Sequence, residues 1–387
     1  MRRASSSWLL CVLMLVTSAA SAASELRGTW NASAHPKSPD QLHLNLSHPE
    51  DAQKGRGHMG FSEARAAFQG LPTGDGPATF TLPREAGTFA FTGSFQDGEG
   101  AGHYRFTPSD SYIKTMASLG YASLTPNQQF QLAATNVTTQ RIKDLGALGY
   151  KNIPVEKLLM VGIFDITPEY VKELSKLGYE KLDLDQLVQG RIHGVTPQRV
   201  KELADAGYAK LAWDDLISMN IHGVTPAFVK EMKELGFKDL GPSKVVALRI
   251  HGVSEDFARQ MRELGFQDVA ADKLVAFRIH GVTPDFVKEM RELGFKDLDA
   301  DDFVAFRIHG VKPAFVKEMR ELGFPKLTSD ELVNFRIHGV TSDFVKKLRD
   351  AGYTNITPEE LVRLRIHGID ETFMRAMSKG DKGKGGK

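Results

Sequence analysis

The chain has 387 residues, 25% of them charged and 41% apolar, with a formal net charge of +1. So even a balance offers no broad cationic field for nucleic acid or an anionic membrane surface. Cys11 is the only cysteine, which excludes a disulfide framework, and once it is removed with a leader, any thiol nucleophile or cysteine-ligated metal as well.

Arg2 and Arg3 precede an apolar run from Trp8 to Val16, and Ala20-Ser21-Ala22 follows. This is the layout of a secretory signal peptide over 1–22, cleaved after Ala22. The run is too short for a bilayer span, and no later segment approaches the roughly 20 apolar residues that one needs. Losing Arg2 and Arg3 would bring the charge to −1. The expectation is a periplasmic or secreted bacterial protein with no transmembrane segment in the mature chain.

Residues 23–108 are rich in Gly, Thr and Phe. Apolar and polar residues alternate in Leu42-His43-Leu44-Asn45-Leu46, from Phe89 to Phe95, and in Tyr104-Arg105-Phe106, the period of half-buried strands. Asp97-Gly98-Glu99-Gly100 has hairpin turn chemistry. A small antiparallel β domain of five or six strands follows, with Trp30 in its core. Gly55-Arg56-Gly57-His58-Met59-Gly60 matches Gly-x-Gly-x-x-Gly, but without the strand–helix context a dinucleotide site needs.

From residue 109 to 378 a 29-residue period takes over. Ile-His-Gly recurs at 192, 221, 250, 279, 308, 337 and 366, and Leu/Ala-Gly-aromatic recurs from 119 to 351. In one unit Thr283 and Pro284 read as the start of a first helix, Phe286, Val287, Met290 and Leu293 as its apolar stripe, and Gly294 as its left-handed stop. Capping-box spacings at Asp183/Gln186, Thr328/Glu331 and Thr357/Glu360 open a second helix, which ends at the glycine of Ile-His-Gly. In the early units Thr135-Asn136 and Phe164-Asp165 replace His-Gly. A last helix is expected from Asp370 to Met377, and residues 379–387 read as a disordered Lys/Gly tail. Helices of about ten residues are unstable alone, so stacking is obligatory. The fold class is therefore α+β and multidomain: a β domain followed by a solenoid-like α-helical tandem-repeat array.

Two ladders are candidate binding residues. His193, His222, His251, His280, His309, His338 and His367 share one repeat position; Arg191, Arg249, Arg278, Arg307, Arg336 and Arg365 share another, broken by Asn220. Packed helices lie roughly 8–10 Å apart, too far for one histidine ladder to converge on a zinc ion at about 2 Å. Histidines in the last turn of the second helix could serve the macrodipole and bond its free carbonyls, and they could instead form a ligand ladder. The arginines could serve helix ends too, or form a carboxylate-recognising stripe. No His-Glu-x-x-His, nucleophile elbow or carboxylate pair occurs, so neither catalytic residues nor a cofactor is expected.

The passage Ile279-His280-Gly281-Val282-Thr283-Pro284, with its flanking helices, resembles a helix-hairpin-helix element, whose hairpin amides hold a DNA phosphate. Here Thr283 takes the place of the second glycine, and Pro284 lacks an amide. Five acids balance five bases between Asp268 and Lys296. A second resemblance rests on Glu85-Ala86-Gly87-Thr88-Phe89, Gly100-Ala101-Gly102 and the tandem Arg-Ile-His-Gly-Val-Thr-Pro units. These resemble the extracytoplasmic part of bacterial antirepressor metallopeptidases of the beta-lactam-sensor type and exported stand-alone relatives. That resemblance covers nearly the whole mature chain and implies a sensing or binding task in the envelope, without the family's zinc peptidase.

The function these readings favour is non-enzymatic binding of a protein or other envelope macromolecule along a repeated helical surface. DNA binding through the hairpins is the alternative, disfavoured by charge, and a hydrolase hidden in the β domain is the third.

Overall fold

A computed structural model describes residues 25–35, 38–48, 58–370 and 372–373. The expected signal peptide 1–22 with its cleavage after Ala22, most of the expected helix 370–377, the tail 379–387 and Gly55-Arg56-Gly57 lie outside the described residues. The chain divides into two compact units, Met1–Ile192 and His193–Lys387.

The first unit begins with six antiparallel strands: β1 Leu26–His35, β2 Ser38–Ser47, β3 His58–Ala64, β4 Gly76–Arg84, β5 Gly87–Gln96 and β6 Glu99–Pro108. They form one sheet in the order β3-β2-β1-β6-β5-β4. Period-2 alternation sends Leu42, Leu44 and Leu46 of β2, and Phe89 and Phe91 of β5, to one face, where each is at most 1% exposed. Trp30 is buried as expected, its Nε1 donating to the Thr92 carbonyl at 3.2 Å and its ring edge-on to Phe80 at 5.3 Å. The β5–β6 hairpin turns on Asp97 and Gly98, at φ 52° and 81°, the paired left-handed residues of a two-residue turn.

A helix closes the apolar face. Pro126–Ala134 packs on β1, β5 and β6, and its Phe130 meets Phe89, Tyr104 and Phe106 at 5.5, 5.8 and 5.6 Å between ring centres. The helical array thus starts as the missing cover of the sheet. Tyr112, on the helix Asp110–Ser118, donates to the Val137 carbonyl at 2.9 Å.

Eighteen α-helices, each nine or ten residues long, follow the strands among the described residues. In the unit around Pro284–Glu292, Thr283 accepts from the Phe286 amide at 3.2 Å and Pro284 occupies the first turn. Gly294, at φ 92°, stops the helix while the Phe295 amide reaches back to the Met290 carbonyl at 3.1 Å, a Schellman-type ending. The second helices start on capping boxes where the sequence placed them, at Thr328/Glu331 and Thr357/Glu360, and Asp183 and Gln186 exchange the equivalent pair of bonds. Within each unit of the chain, first helices pack on first helices and second on second, so the stripe Phe286, Val287, Met290 and the pair Leu274, Phe277 are buried by their neighbours. Asn136 and Asp165, in place of glycine, hold the same left-handed stop at φ 52° and 48°, conformations that Asn and Asp tolerate better than other side chains.

Two predictions follow from these stops and from the buried phenols. Gly294→Val and Gly281→Val should each lower stability by more than about 1 kcal/mol in chemical denaturation, because a β-branched residue is disfavoured at positive φ; unchanged midpoints would mean the helices end elsewhere. Burial lifts the Tyr112 hydroxyl well above the ordinary tyrosine range, with Glu85 adding to it, and pushes Tyr170 up to about 12 against the lowering effect of Arg191. A folded-state value above the unfolded one, near 10, means stabilisation present below about pH 10 and lost as pH rises through the folded value. Stability should therefore fall between pH 10 and about pH 12, less steeply in Tyr170→Phe, and ultraviolet titration should show Tyr170 ionising late.

Candidate interaction surface

Six second helices end in Arg-Ile-His-Gly and a seventh in Asn220-Ile221-His222-Gly223, and the chemistry of these residues separates sharply. In Ala271–His280, Leu274 and Phe277 face the core at 0% exposure, while Ile279, two positions beyond Phe277, is 55% exposed. At 100° per residue, two positions carry the side chain to the opposite side of the helix. The pattern recurs throughout the second unit of the chain: Ile221, Ile250, Ile308, Ile337 and Ile366 are 51–57% exposed. In the first unit Ile163 and Ile192 are 53% and 50% exposed. No other apolar repeat position is left open in this way: Val282, Val311 and Val340, three residues later, are at most 1% exposed.

The histidines stand beside these isoleucines. His222, His251, His280 and His367 are exposed, and His193, His309 and His338 half-buried. Their rings make no hydrogen bond or ion pair among the described residues. The expectation that they bond the carbonyls at their own helix ends does not hold, and at 251, 280 and 309 another side chain has taken that place.

That side chain is the arginine of the following unit. Arg278, Arg307 and Arg336 donate through Nε to the carbonyls of His251, His280 and His309 at 3.4, 3.3 and 3.4 Å. Their guanidinium planes simultaneously lie 5.0, 5.0 and 5.1 Å from the ring centres of Phe257, Phe286 and Phe315. Arg249 and Arg365 cover Phe228 and Phe344 in the same way, and in the first unit of the chain Arg191 covers Tyr170 at 4.0 Å and donates to the Asp165 carbonyl at 2.8 Å. A cation at a helix C-terminus and a cation over an aromatic face are both favourable. The arginine ladder thus lies over the aromatic rings, and where its carbonyl bond is formed it serves the helix end of the unit before it and not, as its place in the sequence suggests, that of its own helix.

A second set of cations, on the first helices, does the same work. Arg291 and Arg349 lie over Phe266 and Phe324 at 5.4 and 5.9 Å, Arg320 donates to the Leu293 carbonyl, and Lys233 donates to the Ala206 carbonyl at 2.5 Å. These residues carry no signal in the sequence beyond their recurrence every 29 positions.

The hairpin between units keeps its amides for itself. Gly281 donates to Arg278 at 3.4 Å and Val282 to Phe277 at 2.8 Å, and Gly310 and Val311 repeat the arrangement at 3.3 and 2.7 Å. No group of three or more His, Cys, Asp or Glu among the described residues is placed to hold a metal ion, and no helix among them is long and apolar enough to cross a membrane.

What remains free is the isoleucine with its histidine, repeated unit after unit. The sequence points to the histidines and arginines as candidates; Ile279 and its equivalents are set apart by their wheel position relative to Leu274 and Phe277. No protein-family model matches the chain, and no curated protein matches it.

The guanidinium–aromatic contact is measurable by a double-mutant cycle. Phe286→Leu and Arg307→Met should couple by about 0.5–2 kcal/mol in urea denaturation. Arg307→Lys should retain less than half of that coupling, because an ammonium cannot bond the carbonyl and lie flat on the ring together. Coupling within about 0.3 kcal/mol of zero would show that the two side chains act independently.

Proposed function

We propose that this is an exported, non-enzymatic binding protein whose repeat array recognises another protein in the cell envelope through the exposed isoleucine–histidine ladder. The observation that carries this reading is the exposure of Ile221, Ile250, Ile279, Ile308, Ile337 and Ile366 at one repeat position. A β-branched residue is a mediocre helix former, and a half-exposed one adds little to the core, so neither local structure nor packing calls for it. Covering each remaining isoleucine surface would contribute about 1 kcal/mol, and several together would make a useful interface. Recurrent apolar surface on a folded chain is the mark of an interaction site, and the adjacent imidazoles supply donors and acceptors for a polar rim.

A protein partner suits this chemistry better than DNA. Isoleucine offers nothing to a phosphate, the hairpin amides are committed to helix ends, and the arginines lie against aromatic rings. Nothing in the sequence supplies a catalytic constellation. The leader-like residues 1–22 and the resemblance to envelope sensor regions support an extracytoplasmic sensing role.

The triple change Ile250→Asp, Ile279→Asp and Ile308→Asp tests the reading. Because each side chain is more than half exposed, the melting temperature should change little. Affinity capture from an envelope extract should recover a protein with the parent chain and lose it with the variant, while labelled DNA binds neither. Equal capture by both, or retention of the DNA, would overturn the proposal.

A further inference from the structure

One pocket, in the first unit of the chain, takes in the isoleucine position of an early repeat, Ile163, and its wall is unusual. It has a volume of about 530 Å³ and is lined on one side by every residue from His58 to Glu63 of β3, and on the other by helix ends that include Arg141, Ile163 and Asp165. A strand's face shows only alternate residues. Six consecutive residues therefore mean that the pocket borders the strand's edge, where the backbone N–H and C=O groups of β3 that turn away from β2 are found.

The two edges of this sheet are treated differently. β4 carries Pro77 and Pro83 and is further covered by Gln69, which exchanges two backbone bonds of 2.9 Å with Thr81. These are the usual devices that stop a sheet from growing. β3, His58-Met59-Gly60-Phe61-Ser62-Glu63-Ala64, has no proline and no lysine, and Met59 and Phe61 on its inward alternation are only half-buried.

The repeat itself makes room here. Position 162 corresponds to Arg307 by five periods, yet it is glycine, and position 141, which corresponds to Phe286, is arginine. Arg141 turns to Asp165 at 3.2 Å, and its Nη1 is buried with no partner. Arg191 approaches the same carboxylate at 3.8 Å. Two guanidinium groups thus share one carboxylate, whereas Glu63 is matched by Arg84. The helix side of the pocket keeps a guanidinium nitrogen, Arg141 Nη1, without a hydrogen-bond partner.

From this geometry we infer that the pocket binds an extended peptide segment of a partner protein, which adds to β3 as a seventh strand. The peptide's backbone pairs with the β3 edge, an apolar side chain lies among Met59, Phe61 and Ile163, and a carboxylate, from an acidic side chain or the C-terminus, faces Arg141. Strand addition is an established mode of peptide recognition in which main-chain bonds give affinity and alternate side chains give selectivity. The pocket volume falls within the roughly 300–1,000 Å³ of ordinary ligand sites.

A display library of random eight-residue peptides, selected against the full chain, tests this inference. Enriched peptides should alternate apolar residues and carry a carboxylate. Their binding should weaken at least about tenfold in Ile163→Arg, whose side chain is 53% exposed in the parent and so free to change without unfolding the protein. It should weaken equally in Phe61→Arg, and survive in the ladder variant Ile250→Asp/Ile279→Asp/Ile308→Asp. Hydrogen exchange should show every second amide of β3 gaining protection when the peptide is bound. No enrichment over the Ile163→Arg protein, protection confined to other segments, or a β3 edge already protected in a dimer of this chain would overturn it.

Discussion

The contact on which the array depends is an arginine that reaches back to the previous unit. Nine-residue helices lie below the length that is stable in water, and their buried stripes are narrow, so each must be fixed by its neighbour. Arg307 does this with one planar group: the Phe286 ring lies 5.0 Å away while the His280 carbonyl accepts from Nε at 3.3 Å. The ring belongs to the first helix of its own unit and the carbonyl to the second helix of the unit before. One side chain therefore ties three helices, and it closes a helix end that has no partner of its own. The glycine at the stop is part of the same device: a Cβ on Gly281 would sit 2.9 Å from an Arg307 nitrogen, so the residue that allows the left-handed turn also clears the path of the guanidinium.

Exceptions to the repeat keep a contact at these two positions with other residues. At 199 and 220 the aromatic has become arginine and the arginine has become asparagine, and the contact persists in altered form: Arg199 Nε donates to Asn220 Oδ1 at 3.3 Å, and Nη2 reaches the Val224 carbonyl. At 170 and 191 tyrosine replaces phenylalanine beneath the arginine. Both partners change at 199 and 220, whereas at 170 and 191 the arginine is kept and only the ring beneath it differs.

Much of this architecture is legible in the sequence because it is written in local chemistry. Thr-Pro starts, capping boxes and glycine stops act over four to six residues, and alternation in β2 and β5 fixes a sheet face without knowledge of the partners. What could not be read is what one unit does to the next. Arg307 looks like a residue serving its own helix end until the neighbouring carbonyl is in place. That Ile279 stays open becomes plain only once Leu274 and Phe277 are seen to fill the interface without it. His58-Met59-Gly60 belonged to a glycine pattern of nucleotide type, while its actual role as an edge strand depends on β2, 11 to 23 residues earlier in the paired positions Ser47↔His58 and Gln41↔Ala64.

The same logic relates the regular surface to the irregular one. Where the arginine clamp is complete, the ladder arginines and the rings beneath them hold the stack, while the isoleucine at each of these helix ends stays exposed. Where the array meets the sheet, the clamp is dismantled: Gly162 contributes no side chain, Arg141 is drawn to Asp165, and Ile163 remains in its exposed repeat position beside the unguarded edge of β3. The departure at 141 and 162 thus places an arginine and a strand edge side by side, an arrangement that no regular unit has.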